Sequence, residues 1–332
     1  MANERKATAV ANANIALVKY WGKRDPALIL PYNGSMSMTC EGLQTITTVA
    51  FAGEGQDEII INDDELRKDE KDIRGHLDRI RKLAGIQGKA RIVSETNFPV
   101  AAGLASSASG LAALTLAAAA AAGLQLSPKD LSILARQGSG SACRSILGGF
   151  VEWKRGSQPD GTDSYALQVA PPQHWPDFRM VACIVSDKAK PVGSRAGMAQ
   201  TVATCPYYPQ WVETATKDLE TVRQGILTKD FLAVAAAAEL NALKMHATMM
   251  TTTPPIIYWT PATLEVMHAV RAWREEGIPA YFTMDAGPQV KILTLEPQLA
   301  EVERRLSQLE GVARTIVCTP GQGAALQEKH LF

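Results

Sequence analysis

The stretch PVAAGLASSASGLAALTLAAAAAAGL, residues 99–124, places a cluster of serines between a glycine turn and a long run of alanines. Alanine is the strongest helix former, so the sequence predicts a helix from about Ser107 that ends before Gly123, a suitable C-terminal cap. The run is long enough to cross a bilayer. Its small residues gain little from lipid, however, and no aromatic belt or basic cluster flanks it, so we predict a buried helix instead.

The serines at the start of this helix predict an anion site. The first turn of a helix has unpaired N–H groups and the positive end of the helix dipole. Gly103 and Ala105 would allow a phosphate to approach closely, and the hydroxyls of Ser106, Ser107 and Ser109 can donate to it. Serines that only cap a core helix would give the same pattern. Neither a Walker A motif nor G-x-G-x-x-G is present, so this motif alone leaves both interpretations open.

The pattern P-x-x-x-G-L-x-S-S-A-S from Pro99 to Ser109 resembles the phosphate-binding motif of the GHMP kinase superfamily. Three further blocks resemble its mevalonate diphosphate decarboxylase branch: NIALVKYWGKRD (14–25), GSGSACRSILGG (138–149) and FTMDAGPQVKIL (282–293). K-Y-W-G-K is close to a signature of these decarboxylases and not of the kinases. Gln289 stands where most of them have Asn. With SRAGM (194–198), MHAT and PPIIY (within 245–258), the resemblance extends over nearly the whole chain.

Each of these blocks has a functional interpretation and a purely structural one. A planar guanidinium such as Arg144 suits a carboxylate, because two N–H groups match its two oxygens. A fixed carboxylate such as Asp285 can accept or orient a hydroxyl proton. Taken singly, the blocks also fit exposed lysines, a Gly–Ser turn with a surface arginine, and a turn-forming aspartate.

The resemblance implies an α+β fold of two domains. Residues 1–187 would form a GHMP-type ATP-binding domain with a left-handed βαβ unit, and residues 188–332 a ferredoxin-like domain, with the boundary near Lys188. It also implies ATP and Mg²⁺ as cofactors, a phosphorylated mevalonate as substrate, and a homodimer.

The resemblance also assigns site residues, position by position. Catalysis is implied for Asp285 at the C3 hydroxyl, Arg144 at the C1 carboxylate, Lys19 as an aid to orientation, and Ser107 at the γ-phosphate. The implied nucleotide-binding residues are Asn14, Ser94, Asn97, Gly103, Ala105, Ser106 and Ser107. The implied substrate-binding residues are Tyr20, Lys23, Ser139, Gly140, Ser141, Arg144, Ser194 and Arg195.

The activity implied is ATP-dependent decarboxylation of mevalonate 5-diphosphate to isopentenyl diphosphate, with release of ADP, phosphate and CO₂. The 5-phosphate, giving isopentenyl phosphate, is an alternative. Arg74 could contact a terminal phosphate, but the acidic residues Asp69, Glu70 and Asp72 lie beside it and would oppose binding. More distant alternatives are a GHMP kinase that stops after phosphoryl transfer and a non-catalytic ligand sensor. The K-Y-W-G-K block disfavours the first, and the pair Arg144 and Asp285 disfavours the second.

Composition excludes several other classes. The 34 basic and 34 acidic residues balance, so no global field favours nucleic acid or an anionic membrane. Five cysteines without a C-x-x-C pair suit reduced thiols in the cytoplasm, and the N-terminus predicts no signal peptide. The histidines have no metal-binding spacing, so we expect no protein-ligated metal.

Hydrophobic patterning predicts alternating elements. Strands are predicted at 45–53, 58–63, 90–96, 180–187, 280–284, 290–295 and 313–320. A hairpin is predicted at 150–170 with its turn at Pro159-Asp160-Gly161, and helices at 211–227, 231–250, 261–277 and 298–309. The charge-dense segment 62–82 is predicted to be the solvated face of a helix.

Overall fold

The computed structural model describes residues 5–52, 55–62, 64–65, 70–98, 106–186, 188 and 190–332. Its first half contains strands β1 (Arg5–Val18), β2 (Lys23–Asp25), β3 (Leu30–Pro31), β4 (Ser35–Phe51), β5 (Glu58–Ile61), β6 (Asp64–Glu65), β7 (Ala90–Thr96), β8 (Phe150–Trp153) and β9 (Ala166–Ala170). Four helices lie in the same half: α1 (Glu70–Ala84), α2 (Ser106–Ala121), α3 (Pro128–Gly138) and α4 (Ala142–Ser145).

In the second half of the chain, four successive helices lie between the first two strands. Its strands are β10 (Phe178–Ile184), β11 (Tyr281–Thr283), β12 (Val290–Leu295), β13 (Arg314–Pro320) and β14 (Ala325–Gln327). Its helices are α5 (Ser194–Thr204), α6 (Tyr208–Thr228), α7 (Phe231–Met250), α8 (Pro261–Glu275) and α9 (Glu296–Leu306). The mixed α+β class expected from the sequence is confirmed.

The long strand β4 holds the first half together. It pairs with β1 along most of its length, with β8 through its first residues and with β7 through its last residues, in each case antiparallel. Near its middle, Glu41 and Cys40 pair with the end of β13, which connects the two halves through one continuous sheet. The end of β1, where the K-Y-W-G-K block begins, therefore lies close to the second half.

The second half has the strand order β11-β12-β10-β13, with every neighbouring pair antiparallel. Strand, helices, two strands, helix and strand in that order form the ferredoxin-like arrangement that the resemblance implies. Strand β10 precedes Lys188 in sequence yet pairs with β12 and β13. The domain boundary near Lys188 stays a prediction.

The alanine-rich helix forms as predicted. Helix α2 spans Ser106–Ala121, and Gly123 follows it with a φ of +79°. Ala112 and Ala113 are fully buried and pack with Ala11 of β1, because small side chains let the helix lie close to the sheet. No helix in the described part of the chain is long and apolar enough to span a membrane.

Other local predictions are confirmed, but several elements were not predicted, including the short strands β2, β3, β6 and β14. Strands β8 and β9 form the predicted hairpin, and helix α1 buries Ile73 and Leu77 while Asp72 and Asp78 face solvent. Residues 63 and 66–69 of the charged segment lie outside the described residues. Strand β1 and helices α3 and α5 were not predicted. Strands β5 and β7 are parallel and joined through α1, as a βαβ unit requires, and its handedness stays a prediction.

Candidate active site

Asp285 lies just after β11 and meets Lys19, which follows the end of β1. The Lys19 ammonium donates to Asp285 Oδ1 at 2.9 Å and to the Ala16 carbonyl at 2.6 Å. The Lys291 ammonium on β12 approaches the other oxygen, with Nζ 3.7 Å from Asp285 Oδ2. The Asp285 side chain is 26% exposed, whereas both lysine side chains are almost fully buried. The carboxylate thus has a cation at each oxygen and remains accessible from one side.

This arrangement shifts the pKa values of its members. Burial lowers the pKa of Lys19 to about 8, although the nearby Asp285 carboxylate opposes that shift. Burial by itself would raise the pKa of Asp285, but the charges of Lys19, Lys291 and Arg144 outweigh it and lower that pKa to about 2. Asp285 is therefore a carboxylate throughout the neutral range, and Lys19 titrates just above it.

Neutral groups hold the backbone on both sides of the ion pair. His246 on α7 bonds the Asp285 carbonyl through Nε2 at 2.8 Å, and burial lowers the pKa of its ring to about 3. Since a carbonyl only accepts, the neutral ring must donate from Nε2. Asn241, also on α7, accepts from the Lys19 N–H at 2.8 Å and donates to Asp218 at 2.7 Å. One helix therefore fixes both partners of the ion pair.

Arg144 projects from α4 and is 2% exposed. Its Nε donates to Asn14 Oδ1 at 3.0 Å and to Ser37 Oγ at 2.9 Å, and one terminal nitrogen donates to Ser35 Oγ at 2.7 Å. Within the described residues it forms no ion pair with a carboxylate, and burial lowers its pKa. A buried guanidinium held only by neutral groups is suited to bind an anionic ligand.

Asn14 supports Arg144 from β1, and both atoms of its amide form hydrogen bonds with neighbouring residues. It accepts from Arg144 and donates to Ser145 Oγ at 2.7 Å and to the Ser141 carbonyl at 3.0 Å. The expectation that Asn14 contacts the nucleotide stays a prediction, because this geometry gives it a second role as a support for the arginine.

Tyr20 lies beside the Gly–Ser block. Its ring packs edge-on against Trp153 at 4.7 Å, and a side chain at Gly140 would come within 2.9 Å of both rings. The Tyr20 hydroxyl is buried without a hydrogen-bond partner among the described residues. Burial raises its pKa, so the phenol keeps its proton as a donor. Ser139 and Ser141 flank Gly140 between α3 and α4, both partly exposed.

A cleft of about 520 Å³ opens near Tyr20, and three cationic side chains line it. Lys23, Arg195 and Arg79 line it together with Asp72, which forms an ion pair with Arg195. Burial and the nearby Arg195 lower the pKa of Lys23. Both Arg195 and Asp72 are more than half exposed, so their pairing is weak and an incoming phosphate can replace it.

The structure also gives the positions of Ser194 and Arg74, two residues that the sequence places on the substrate side. Ser194 begins helix α5 next to Arg195, and its Oγ accepts from Lys190 at 2.9 Å. Arg74, which the sequence offered for a terminal phosphate, donates instead to the Asp57 carbonyl at 2.8 Å. The arginine of α1 that lines the cleft is Arg79, one turn further along the helix.

The serine-rich motif is described from Ser106 onward, and Gly103 and Ala105 lie outside the described residues. Helix α2 has no acidic residue in its first turn, and Ser107 is exposed there. The positive end of the helix dipole favours a phosphate group at this position. Ser94 is buried against Thr47 at 2.9 Å. Asn97 is exposed, and its Oδ1 accepts from the Gln44 N–H at 2.8 Å.

The described residues include no group of three or more His, Cys, Asp or Glu side chains that could hold a metal ion. A Mg²⁺ that accompanies a nucleotide keeps several waters and is bound mainly through phosphate oxygens. A magnesium ion would therefore arrive with the nucleotide.

Sequence reasoning missed several of these residues. Lys291 was not selected because a lysine within an apolar strand carries no motif of its own. Ser35 and Ser37 alternate along β4, so a two-residue period could have suggested that they share one face. Nothing local could have linked His246 and Asn241 to Asp285, because their contacts depend on how α7 packs against β1 and β11.

Comparison with known proteins is consistent with this geometry. Residues 11–166 match the family model described as "Diphosphomevalonate decarboxylase-like N-terminal domain". Residues 180–323 match that described as "Mevalonate 5-diphosphate decarboxylase C-terminal domain". Diphosphomevalonate decarboxylase of Rattus norvegicus is 40% identical over 315 residues, covering 89% of this chain and 78% of that protein.

Solved structures show the same similarity in three dimensions. Mevalonate diphosphate decarboxylase from Staphylococcus aureus is 40% identical with a TM-score of 0.92, covering 98% of each chain. A complex of a protein named MDDEF with MVAPP, AMPPCP and magnesium is 42% identical with a TM-score of 0.92. That match covers 98% of this chain and 100% of the other.

Proposed function

The chain belongs to the diphosphomevalonate decarboxylase family, and on that premise we propose that Lys19, Asp285 and Arg144 form its catalytic centre. It is an ATP-dependent decarboxylase that converts mevalonate 5-diphosphate to isopentenyl diphosphate, ADP, phosphate and CO₂. The observation that carries the proposed centre is the ion pair between Lys19 and Asp285, 2.9 Å long, which joins the two halves of the fold.

The centre acts on both groups that leave the substrate. Asp285 accepts a hydrogen bond from the C3 hydroxyl and orients it for phosphorylation. Because the pKa of Asp285 is about 2, it is a weak base, so proton transfer comes late, when the new P–O bond has made the hydroxyl acidic. Arg144 binds the C1 carboxylate through two N–H groups and holds it aligned with the C3–O bond.

The cofactors are ATP and Mg²⁺. When bound, ATP would supply the phosphoryl group that turns the tertiary hydroxyl into a good leaving group, and Mg²⁺ would neutralise phosphate charge. Ser106 and Ser107 at the start of α2 would donate to the phosphates, with Ser107 at the γ-phosphate. The positive end of the helix dipole, with no acidic residue in the first turn, supports this placement. Ser94, Asn97, Gly103, Ala105 and Asn14 complete the proposed nucleotide side, as the resemblance implies.

The phosphorylated arm of the substrate would lie in the cleft near Tyr20. The Tyr20 hydroxyl, which has no partner among the described residues, would supply one donor, and Lys23 and Arg195 would supply positive charge. Ser139, Gly140, Ser141 and Ser194 would contact the same arm of the substrate, as the resemblance implies. We assign the terminal phosphate to Arg79 rather than Arg74, because Arg79 lines the cleft whereas Arg74 bonds Asp57.

The test compares mevalonate, its 5-phosphate and its 5-diphosphate, following ADP and CO₂ release together. The diphosphate should have the highest kcat/KM, with ADP and CO₂ formed in equal amounts. A preference for the monophosphate of about tenfold or more, equivalent to about 1.4 kcal/mol, would reverse the substrate assignment. ADP release without CO₂ would favour a GHMP kinase, and no turnover of any substrate would favour a ligand sensor.

A variant pair then tests the terminal phosphate. Arg79→Gln should reduce kcat/KM for the diphosphate about tenfold and leave the monophosphate value nearly unchanged, because only the second phosphate loses a charged partner. Arg271→Gln, at an exposed position on α8, is the matched control and should change neither. Equal losses for both substrates would show that Arg79 does not discriminate between them.

We also propose that the protein is a cytoplasmic homodimer. All five cysteines are buried and free, which is consistent with a reducing compartment. Leu232 and Leu240 are exposed eight residues apart on one face of α7, which would suit a subunit contact. Light scattering coupled to gel filtration would give the mass, and a monomer at micromolar concentration would exclude the dimer.

A further inference from the structure

Lys291 is a buried cation that the roles above leave unexplained. It lies in β12, its side chain is 0% exposed, and its neighbours across the sheet are Thr283 of β11 and Ala182 of β10. Its Nζ donates to the Gln289 carbonyl at 3.3 Å and lies 3.7 Å from Asp285 Oδ2. Burying an ammonium group costs several kcal/mol before its partners compensate, so a lysine at this position points to a role for its charge.

Lys291 complements Lys19, because the two ammonium groups lie at different oxygens of the Asp285 carboxylate. Lys19 holds Asp285 Oδ1 by a direct hydrogen bond, and a carboxylate held at one oxygen can still rotate about its last side-chain bond. Lys291 attracts the other oxygen from the opposite strand. Two cations at separate oxygens favour one rotation of the carboxylate, the one in which its accessible side faces the substrate.

We propose that Lys291 is a positioning residue that fixes the orientation of the Asp285 carboxylate toward the C3 hydroxyl. This inference rests on the proposed function, since it assumes that Asp285 faces that hydroxyl. Lys291 itself does not touch the substrate, and it acts through Asp285.

Several charged and titratable groups lie near Lys291, so its removal would change the pKa values of its neighbours. Asp285, Lys19 and Lys190 interact with its charge, as do His246 of α7, Cys183 of β10 and Cys40 of β4. Lys291 and Lys19 repel each other, and the charge of Lys291 contributes to the low pKa of Lys19. Removing Lys291 therefore raises the pKa at which Lys19 loses its proton.

The experiment is steady-state kinetics of Lys291→Met between pH 6 and 10, with ADP and CO₂ followed together. We expect kcat to fall about tenfold or more while KM for the diphosphate stays within about threefold, since orientation is lost and binding is not. The alkaline decline of activity should move to higher pH. Lys291→Arg should restore the wild-type position of that decline and part of kcat.

Thr283→Val is the matched control, because Thr283 faces Lys291 across the strands, is fully buried and has no partner for its hydroxyl within the described structure. It alters the same packing without a charge and should leave kcat and the pH profile unchanged. If the methionine variant does not fold, Lys291→Gln carries the same expectations and keeps a donor for the Gln289 carbonyl.

The outcomes separate this inference from the proposed function. An inactive wild-type protein would refute the function. An active wild type, with wild-type kcat and pH profile in the Lys291 variant, would overturn the positioning role. A lower melting temperature with unchanged kcat per folded molecule would show that Lys291 is only structural.

Discussion

The protonation of Lys19 should limit activity at alkaline pH. Lys19 donates to Asp285 only as an ammonium, and burial lowers its pKa from 10.5 to about 8. The protonated form is active, so kcat/KM should be constant below pH 8 and fall about tenfold for each pH unit above it. Lys19→Arg should remove this decline, because a guanidinium stays protonated throughout that range.

The distances give the size of the effect of removing Lys19 altogether. At an effective dielectric constant of about 20, Asp285 gains about 6 kcal/mol from Lys19 at 2.9 Å and about 4 kcal/mol from Lys291 at 3.7 Å. Lys291 alone therefore keeps Asp285 ionised at neutral pH in Lys19→Met. The loss of activity in that variant, about a hundredfold, should come from lost orientation and charge stabilisation rather than from a protonated Asp285.

The free energy of unfolding gives a second measurement. It should rise with pH in the range where activity falls. Because the pKa of Lys19 is lower in the folded protein, the unfolded chain binds more protons between pH 8 and 10.5. The free energy of unfolding of the wild type should therefore rise relative to Lys19→Met in that window, by up to about 3 kcal/mol at about 1.4 kcal/mol per pH unit. Urea unfolding at matched pH values measures this difference.

The assay is kcat/KM from pH 6 to 10 at constant ionic strength with saturating Mg²⁺ and ATP. Arg179→Met is a suitable control, because Arg179 also forms an ion pair, with Glu296, and neither residue contacts Lys19 or Asp285. A wild-type profile that stays flat to pH 9.5, or a decline retained unchanged in Lys19→Arg, would refute the reasoning.

Three further substitutions test the other roles. Asp285→Ala should bind both substrates almost normally yet release no ADP, since a group that acts in the transition state affects kcat more than binding; normal ADP release coupled to substrate would contradict its role. Arg144→Gln should weaken substrate binding and abolish CO₂ formation, because the carboxylate loses its bidentate partner, and sustained CO₂ release would argue against that contact. Ser107→Ala should lower kcat about a hundredfold by removing one donor to the transferred phosphate; near-normal turnover would place the γ-phosphate elsewhere.

The sequence by itself determined those features whose causes are local. Helix propensity and a following glycine define α2 from its own residues, and alternating apolar residues define β7 as a strand at 90–96. The family motifs identified Lys19, Arg144 and Asp285, because each lies in a short segment that can be recognised without its neighbours.

Only the tertiary structure decided which groups surround those residues. The pairing of β12 with β11 brings Lys291 to Asp285, and the packing of α7 brings His246 to the same residue. The orientation of α1 decides that Arg79 lines the cleft while Arg74 bonds Asp57. Such contacts join segments far apart in the chain, and sheet register and helix packing set them, so no local pattern encodes them.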